Sequence, residues 1–122
     1  MIIQSGARLE FAVGAKLVVN GELQLWGRAD RPVTFTSQMA NPVAGNWVGV
    51  ELNNTTQPYN WKHVIVEYAR TGISVKPDVT LNLIDSQLRN NRTGVFFDGG
   101  SKGKVESSYI VDNTTAGIDI GA

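Results

Sequence analysis

Short alternations of apolar and polar residues, separated by glycine, asparagine or aspartate, run along the whole chain and predict strands of about three to five residues. The clearest repeat is a glycine followed by alternating apolar residues. Its glycines lie at positions 49, 72, 94 and 117, with spacings of 23, 22 and 23 residues. A period of about 20 to 25 residues without helical patterning indicates a solenoid. We therefore predict an all-β solenoid of about five parallel coils, with three short strands per coil.

The first half of the chain contains the same repeat in a less regular form. Leu9 and Phe11 alternate with polar neighbours, and a second pair, Val33 and Phe35, follows 24 residues later. The turn dipeptide Asn20-Gly21 between them is also compatible with a β-hairpin. A hairpin does not account for the 24-residue recurrence, whereas successive coils account for both features. We interpret the polar stretches 38–46 and 53–59 as loops that project from the coils.

The inward apolar residues are assigned to three faces, each a stack of parallel strands that contributes to one continuous core. The first face is predicted to contain Leu9, Phe11, Val33, Phe35, Trp61, Leu81, Leu83 and Val105. The second is predicted to contain Leu17, Val19, Val64, Val66, Leu88 and Ile110. The third is predicted to contain Leu23, Leu25, Val50, Leu52, Ile73, Val75, Val95, Phe97, Ile118 and Ile120.

Length and composition predict a single domain, residues 1–122. Eleven basic and eleven acidic residues cancel without forming a basic cluster, so we do not predict nucleic acid as a partner. No apolar run approaches the roughly 18 residues of a membrane span, and residues 1–6 lack the features of a signal peptide. The absence of cysteine excludes a disulfide framework and leaves the compartment open.

Several runs of sequence resemble right-handed parallel β-helix proteins of the pectin-lyase-like kind. They include Gly-Ala-Lys-Leu-Val-Val-Asn-Gly-Glu-Leu at 14–23, Gly-Arg-Ala-Asp-Arg-Pro-Val-Thr-Phe-Thr-Ser at 27–37 and Asn-Trp-Val-Gly-Val at 46–50. The later Val-Glu-Tyr-Ala-x-x-Gly-Ile and Asn-Asn-x-x-Gly-Val units resemble the repeats of these proteins. The resemblance covers essentially the whole chain and implies a right-handed coil. It also suggests a bacterial, secreted or cell-surface protein, while fold alone does not define activity.

A polysaccharide lyase or hydrolase needs clustered acids, either to bind Ca²⁺ or to act as a general acid and base. Aligned on the repeat glycines, Glu67, Arg89 and Asp112 form one outward column. As a binding site, the two carboxylates would hold a cation and Arg89 would contact a uronate. As a structural feature, the column is an acid–base–acid ladder on neighbouring strands. No second acid pair reinforces it, which favours the ladder.

Phe96 is predicted to point outward on the third face, between Ser74 and Asp119. Trp26 and Trp47 are further candidates for outward aromatic residues. Exposed aromatic rings stack on sugar rings or seat a partner. The candidate ligand-binding residues are therefore Glu67, Arg89, Asp112 and Phe96.

Two other columns are interpreted as structural. His63, Asp85 and Ser107 are nearly aligned, but Asp85 lies in the middle, whereas a catalytic triad requires the histidine between the serine and the acid. Asn90, Asn91 and Asn113 precede repeat glycines, and asparagines stacked at a bend hydrogen-bond the backbone of the neighbouring coil. No catalytic residue, metal ligand or cofactor is predicted.

These features predict a non-catalytic structural or binding β-solenoid, with a glycan as the candidate ligand. The alternative is a polysaccharide-active domain, lyase-like or hydrolase-like, that uses Glu67, Arg89 and Asp112. Both ends of the solenoid lack an obvious polar cap. We therefore expect self-association through the ends or an apolar side, as a homo-oligomer, or membership of a longer solenoid.

Overall fold

The protein is a parallel β-solenoid of about five turns. The computed structural model describes residues 1–121, which form fifteen strands in three five-stranded parallel sheets. Each turn contributes one strand to each sheet, and no helix occurs among these residues. The predicted all-β solenoid with three strands per coil is confirmed.

The strands follow one another in the same order in every coil, so each sheet takes every third strand. The first sheet contains β1 (Ile2–Gln4), β4 (Gln24–Trp26), β7 (Tyr59–Lys62), β10 (Thr80–Ile84) and β13 (Lys102–Glu106). The second contains β2 (Arg8–Phe11), β5 (Val33–Ser37), β8 (Val64–Glu67), β11 (Gln87–Arg89) and β14 (Tyr109–Val111). The third contains β3 (Lys16–Val19), β6 (Gly49–Leu52), β9 (Thr71–Val75), β12 (Thr93–Phe97) and β15 (Ala116–Ile120).

The core consists of apolar columns that run along the axis of the solenoid. In the third sheet, Val50, Ile73, Val95 and Ile118 lie opposite one another on successive strands. Ile73 and Val95 are fully buried, as the repeat predicts. Equivalent positions of parallel strands lie about 4.8 Å apart, so each residue packs on the same position of the neighbouring coils.

The predicted faces are correct from Val50 onward, which includes the last three coils, and wrong for the residues before it. Leu9 and Phe11 belong to the second sheet, where Leu9 lies opposite Phe35. Leu17 and Val19 belong to the third sheet, and Leu25 to the first. The assignment is shifted by one strand because Ile2–Gln4 forms the first strand of the first sheet. This strand has a single inward residue, Ile3, and so shows no alternation in the sequence.

The corners between sheets repeat a left-handed backbone conformation. Between the first and second sheets it occurs at His63, Asp85 and Ser107, with φ of 56°, 49° and 49°. Between the second and third sheets it occurs at Tyr68, Asn90 and Asp112, with φ of 65°, 57° and 56°. A single left-handed residue turns the chain sharply enough to begin the next strand within a few residues.

The predicted asparagine stack is confirmed for Asn91 and Asn113. The Asn91 side chain accepts a hydrogen bond from the Ala69 backbone N–H at 2.8 Å and donates one to the Val66 carbonyl at 3.0 Å. Asn113 repeats both contacts one coil later, with the Asn91 N–H and the Leu88 carbonyl, each at 3.0 Å. Asn90 instead takes the left-handed corner position.

The two predicted loops leave the solenoid without breaking the stack. Residues 38–46 contain no strand, and the second loop ends at Pro58 because Tyr59 begins β7. The prediction that Trp47 points outward is wrong. Trp47 is fully buried and stacks on Phe11, with ring centroids 4.2 Å apart and an interplanar angle of 4°.

Candidate functional site

Glu67 and Arg89 face each other on the outer surface of the second sheet. They lie opposite one another at the ends of β8 and β11, and Arg89 Nε is 2.9 Å from Glu67 Oε1. The other carboxylate oxygen of Glu67 accepts a hydrogen bond from the Thr36 hydroxyl at 2.8 Å. The Glu67 side chain is only 10% exposed. Both of its oxygens are therefore engaged within the protein.

Asp112 does not extend this column, contrary to the prediction. Val111 lies opposite Arg89, and Asp112 occupies the left-handed corner that follows. The prediction counted backward from the repeat glycines, whose spacing increases from 22 to 23 residues at this coil. The additional residue lies after the corner, because Asn91 aligns with Asn113 but Thr93 aligns with Ala116. The structure thus brings Glu67 and Arg89 together without Asp112 in their column.

Phe96 lies where the sequence places it, on β12 between Ser74 and Asp119. Its side chain is on the outer surface of the third sheet, whereas Glu67 and Arg89 lie on the second sheet. The candidate residues are therefore divided between different surfaces of the solenoid.

The column of His63, Asp85 and Ser107 consists of corner residues. Each has a left-handed backbone, and Asp85 forms an ion pair with Lys62 at 3.8 Å. These positions are set by the turn of the chain between the first two sheets, which supports the structural interpretation.

A polar opening with an exposed indole lies on the outer surface of the first sheet, near β4 and β7. Its volume is about 270 Å³. Trp26 stands at its edge and is 53% exposed. The opening is lined by Glu22, Leu23, Gln24, Leu25, Trp26, Gln57, Pro58, Tyr59 and Asn60.

Hydrogen bonds between neighbouring side chains orient the indole. Trp26 Nε1 donates to Gln24 Oε1 at 3.2 Å, and Gln24 Nε2 donates to Glu22 Oε1 at 2.9 Å. On the next strands, the Asn82 amide donates to the Asn60 amide oxygen at 2.9 Å. The first sheet therefore presents an aromatic ring beside a series of carboxamides, which both donate and accept hydrogen bonds.

The opening exists because β4 and β7 are paired over only part of their length. The two strands pair at one position, where Trp26 lies opposite Lys62. Before that point, inward side chains of β7 bond to the backbone of the preceding coil. Trp61 Nε1 donates to the Leu23 carbonyl at 3.0 Å, and the Tyr59 hydroxyl donates to the Gly21 carbonyl at 2.8 Å. Burial raises the pKa of the Tyr59 phenol, and the hydrogen bond that it accepts from the Asn54 N–H opposes this shift.

Sequence reasoning named Trp26 only as a candidate outward aromatic and did not identify the opening. The outward direction of the indole is predictable from the sequence, because Leu23 and Leu25 alternate with Gln24 and Trp26. The separation of the strands depends on contacts of Tyr59 and Trp61 with residues 38 positions earlier in the chain. No local pattern of residues reports such contacts.

No group of three or more histidine and acidic side chains within residues 1–121 is arranged to hold a metal ion. The same part of the chain contains no helix with the length and hydropathy of a membrane span. Comparison with protein-family models, with curated proteins and with solved structures finds no match to this chain.

Proposed function

We propose that this protein is a non-catalytic binding solenoid that recognises a glycan through the opening beside Trp26. The observation that carries the proposal is the exposed indole at the edge of a polar opening on an otherwise regular sheet. Sugar rings have an apolar face of C–H groups and a rim of hydroxyls. An indole stacks on the apolar face, and neighbouring carboxamides hydrogen-bond with the hydroxyls.

The state of Glu67 argues against a role for this residue in turnover. Its carboxylate is held between Thr36 and Arg89 and is mostly buried. A general acid or base must reach the proton that it transfers, either directly or through one water molecule. An acid whose two oxygens are already occupied by protein donors serves the fold. The sequence resemblance to pectin-lyase-like proteins contributes only an expected fold to this proposal, and not an activity.

Two assays on the same protein test the proposal. A glycan array detects binding, and a screen of acidic and neutral polysaccharides, with and without Ca²⁺, detects new reducing ends and unsaturated products. We expect binding on the array and no turnover. Turnover that is lost in Arg89→Ala would instead support a polysaccharide-active domain built around Glu67 and Arg89.

We also propose that the outer edge of the fifth coil is a contact surface, covered either by a second copy of this chain or by further coils of a longer solenoid. Ile118 and Ile120 continue the buried column of the third sheet but are 47% and 75% exposed. They line a groove with Phe97 and Val105. In residues 1–121, no further strand pairs with the outer edges of β13, β14 and β15. Apolar side chains beside free strand edges favour pairing with another chain.

Light scattering over a range of concentrations tests this second proposal. We expect the mass of the wild type to increase with concentration and that of Ile120→Lys to remain at one chain. Val43→Lys is the matched control, because Val43 is also exposed but lies on the 38–46 loop. A wild-type protein that remains monomeric at high concentration would contradict covering of this edge by a second copy of the chain.

A further inference from the structure

Arg70 and Arg92 occupy the same corner of successive coils, between the second and third sheets. The residues that follow them, Thr71 and Thr93, lie opposite each other in the third sheet, and the Thr93 N–H donates to the Arg70 carbonyl at 2.9 Å. Both arginines are exposed. Neighbouring parallel strands lie about 4.8 Å apart, so two positive side chains project from adjacent rungs.

Neither guanidinium group has an acidic partner within residues 1–121. Seven of the eleven basic side chains lie within 4.0 Å of a carboxylate, whereas Arg70 and Arg92 do not. They also make no side-chain hydrogen bond in this part of the molecule. Like charges on adjacent strands destabilise a sheet. An anion between them would remove this repulsion.

The Arg92 guanidinium is held against the loop of residues 38–46. It packs on the backbone of Gly45, where an added Cβ would overlap Arg92 Nε. Gly45 also has a left-handed φ of +91°, and its N–H donates to the Ala69 carbonyl, one coil before Arg92. The same Ala69 carbonyl accepts a hydrogen bond from the Arg92 N–H at 3.0 Å, so Gly45 and Arg92 meet beside the residue that precedes Arg70. The loop backbone therefore lies directly beside the Arg92 guanidinium.

We propose that Arg70 and Arg92 form a binding site for one oxyanion, a carboxylate or a sulfate, bridged by the two guanidinium groups. Each planar guanidinium presents a fork of N–H donors that matches two oxygens of such a group. The oxyanion is either free or carried by an acidic polysaccharide. Nucleic acid is a poorer match, because it needs many phosphate contacts and the chain has zero formal net charge.

This site is separate from the opening beside Trp26. Trp26 lies on the outer surface of the first sheet, whereas the arginines lie at the corner between the other two sheets. The inference therefore does not rest on the proposed binding of a glycan at Trp26.

Sodium sulfate is the first probe, followed by NMR of the arginine Nε–Hε groups in the intact chain. We expect saturable shifts at Arg70 and Arg92. Either Arg70→Gln or Arg92→Gln should weaken binding by about tenfold or more, because each removes hydrogen bonds to a charged ligand. Arg31→Gln is the matched control, since Arg31 is exposed and without an ion pair but lies between β4 and β5, at a corner between the first and second sheets. Linear shifts, equal shifts at Arg31, or unchanged binding in both variants would overturn the site.

Further titrations identify the source of the anion. Sodium acetate, dextran sulfate, a polyuronate and neutral dextran are compared at one ionic strength. If the protein binds both sulfate and a charged polymer, and both are lost in Arg70→Gln but retained in Arg31→Gln, the anion belongs to a polysaccharide. Binding of sulfate or acetate alone assigns it to a free anion. Binding of neutral dextran with the affinity of dextran sulfate would contradict an oxyanion site.

Discussion

Asn91 lies directly beneath Asn113 at the corner between the second and third sheets, and its backbone N–H donates to the Asn113 side-chain oxygen at 3.0 Å. Asn91 is fully buried and makes the same contact with Ala69 in the coil before. The two side chains thus replace strand pairing at a corner where the backbone leaves one sheet before it enters the next. Buried backbone groups at such a corner need these partners.

The first prediction concerns this asparagine ladder. Asn91→Ala leaves the Ala69 N–H and the Val66 carbonyl without their side-chain partners, and we expect a loss of about 2–4 kcal/mol in the free energy of unfolding. Asn113→Ala should cost less, because Asn113 is only half-buried. Chemical denaturation measures both variants, and hydrogen exchange of the Ala69 amide locates the effect. Equal losses in the two variants would contradict the proposed dependence on burial.

The second prediction concerns the pair of Glu67 and Arg89. Arg89→Ala removes a partner from a carboxylate that is largely shielded from water, and we expect a loss of about 1–3 kcal/mol in unfolding free energy. Arg8→Ala is the matched control, since the ion pair of Arg8 with Glu10 is about half exposed on both sides. Exposed pairs contribute about 0–1 kcal/mol. If Arg8→Ala lowers the free energy of unfolding as much as Arg89→Ala does, burial does not strengthen the pair of Glu67 and Arg89.

The third prediction concerns stability at high pH. Burial raises the pKa of Tyr59 above its usual value of 10.0, so the folded protein retains this proton where the unfolded chain loses it. The contribution of Tyr59 is therefore complete below about pH 10 and decreases as the pH rises through the folded pKa. Tyr59→Phe should show a smaller loss of stability above about pH 10 than the wild type. Tyr109→Phe, at an exposed position, should behave like the wild type.

The fourth prediction tests the direction of side chains in the third sheet. Ile73→Asp places an unpaired charge in a fully buried column, and we expect the domain to unfold. Ser74→Lys is the control, because Ser74 is the next residue, points outward and lies beside Glu51. Thermal unfolding followed by circular dichroism distinguishes the two. Similar melting of both variants would mean that the inward and outward positions are wrongly assigned.

Much of this fold is predictable because its repeat is encoded locally. The alternation that follows Gly72 and Gly94 identifies Ile73 and Val95 as core residues, and their glycine spacing gives the length of a coil. Parallel stacking then requires equivalent residues to lie in one column. The outward position of Phe96 follows from the same alternation and is confirmed.

The errors arise where a single residue shifts the register or where contacts are long-range. The fifth coil has one additional residue after Asp112, so counting back from its glycine places Asp112, and not Val111, opposite Arg89. The adjacent apolar residues Ile2 and Ile3 conceal the first strand. The opening near Trp26 depends on how Tyr59 and Trp61 meet the preceding coil, and this follows from packing in three dimensions.

Fluorescence titration of the protein with a glycan selected on the array tests the account most directly. The chain has three tryptophans, of which Trp47 and Trp61 are buried and Trp26 is exposed, so a change in emission on binding reports Trp26. We predict a saturable change in the wild type and an affinity weaker by about tenfold or more in Trp26→Ala, as for a central aromatic contact. Circular dichroism of the variant confirms its fold. Unchanged emission on binding, or wild-type affinity in Trp26→Ala, would contradict the proposed site.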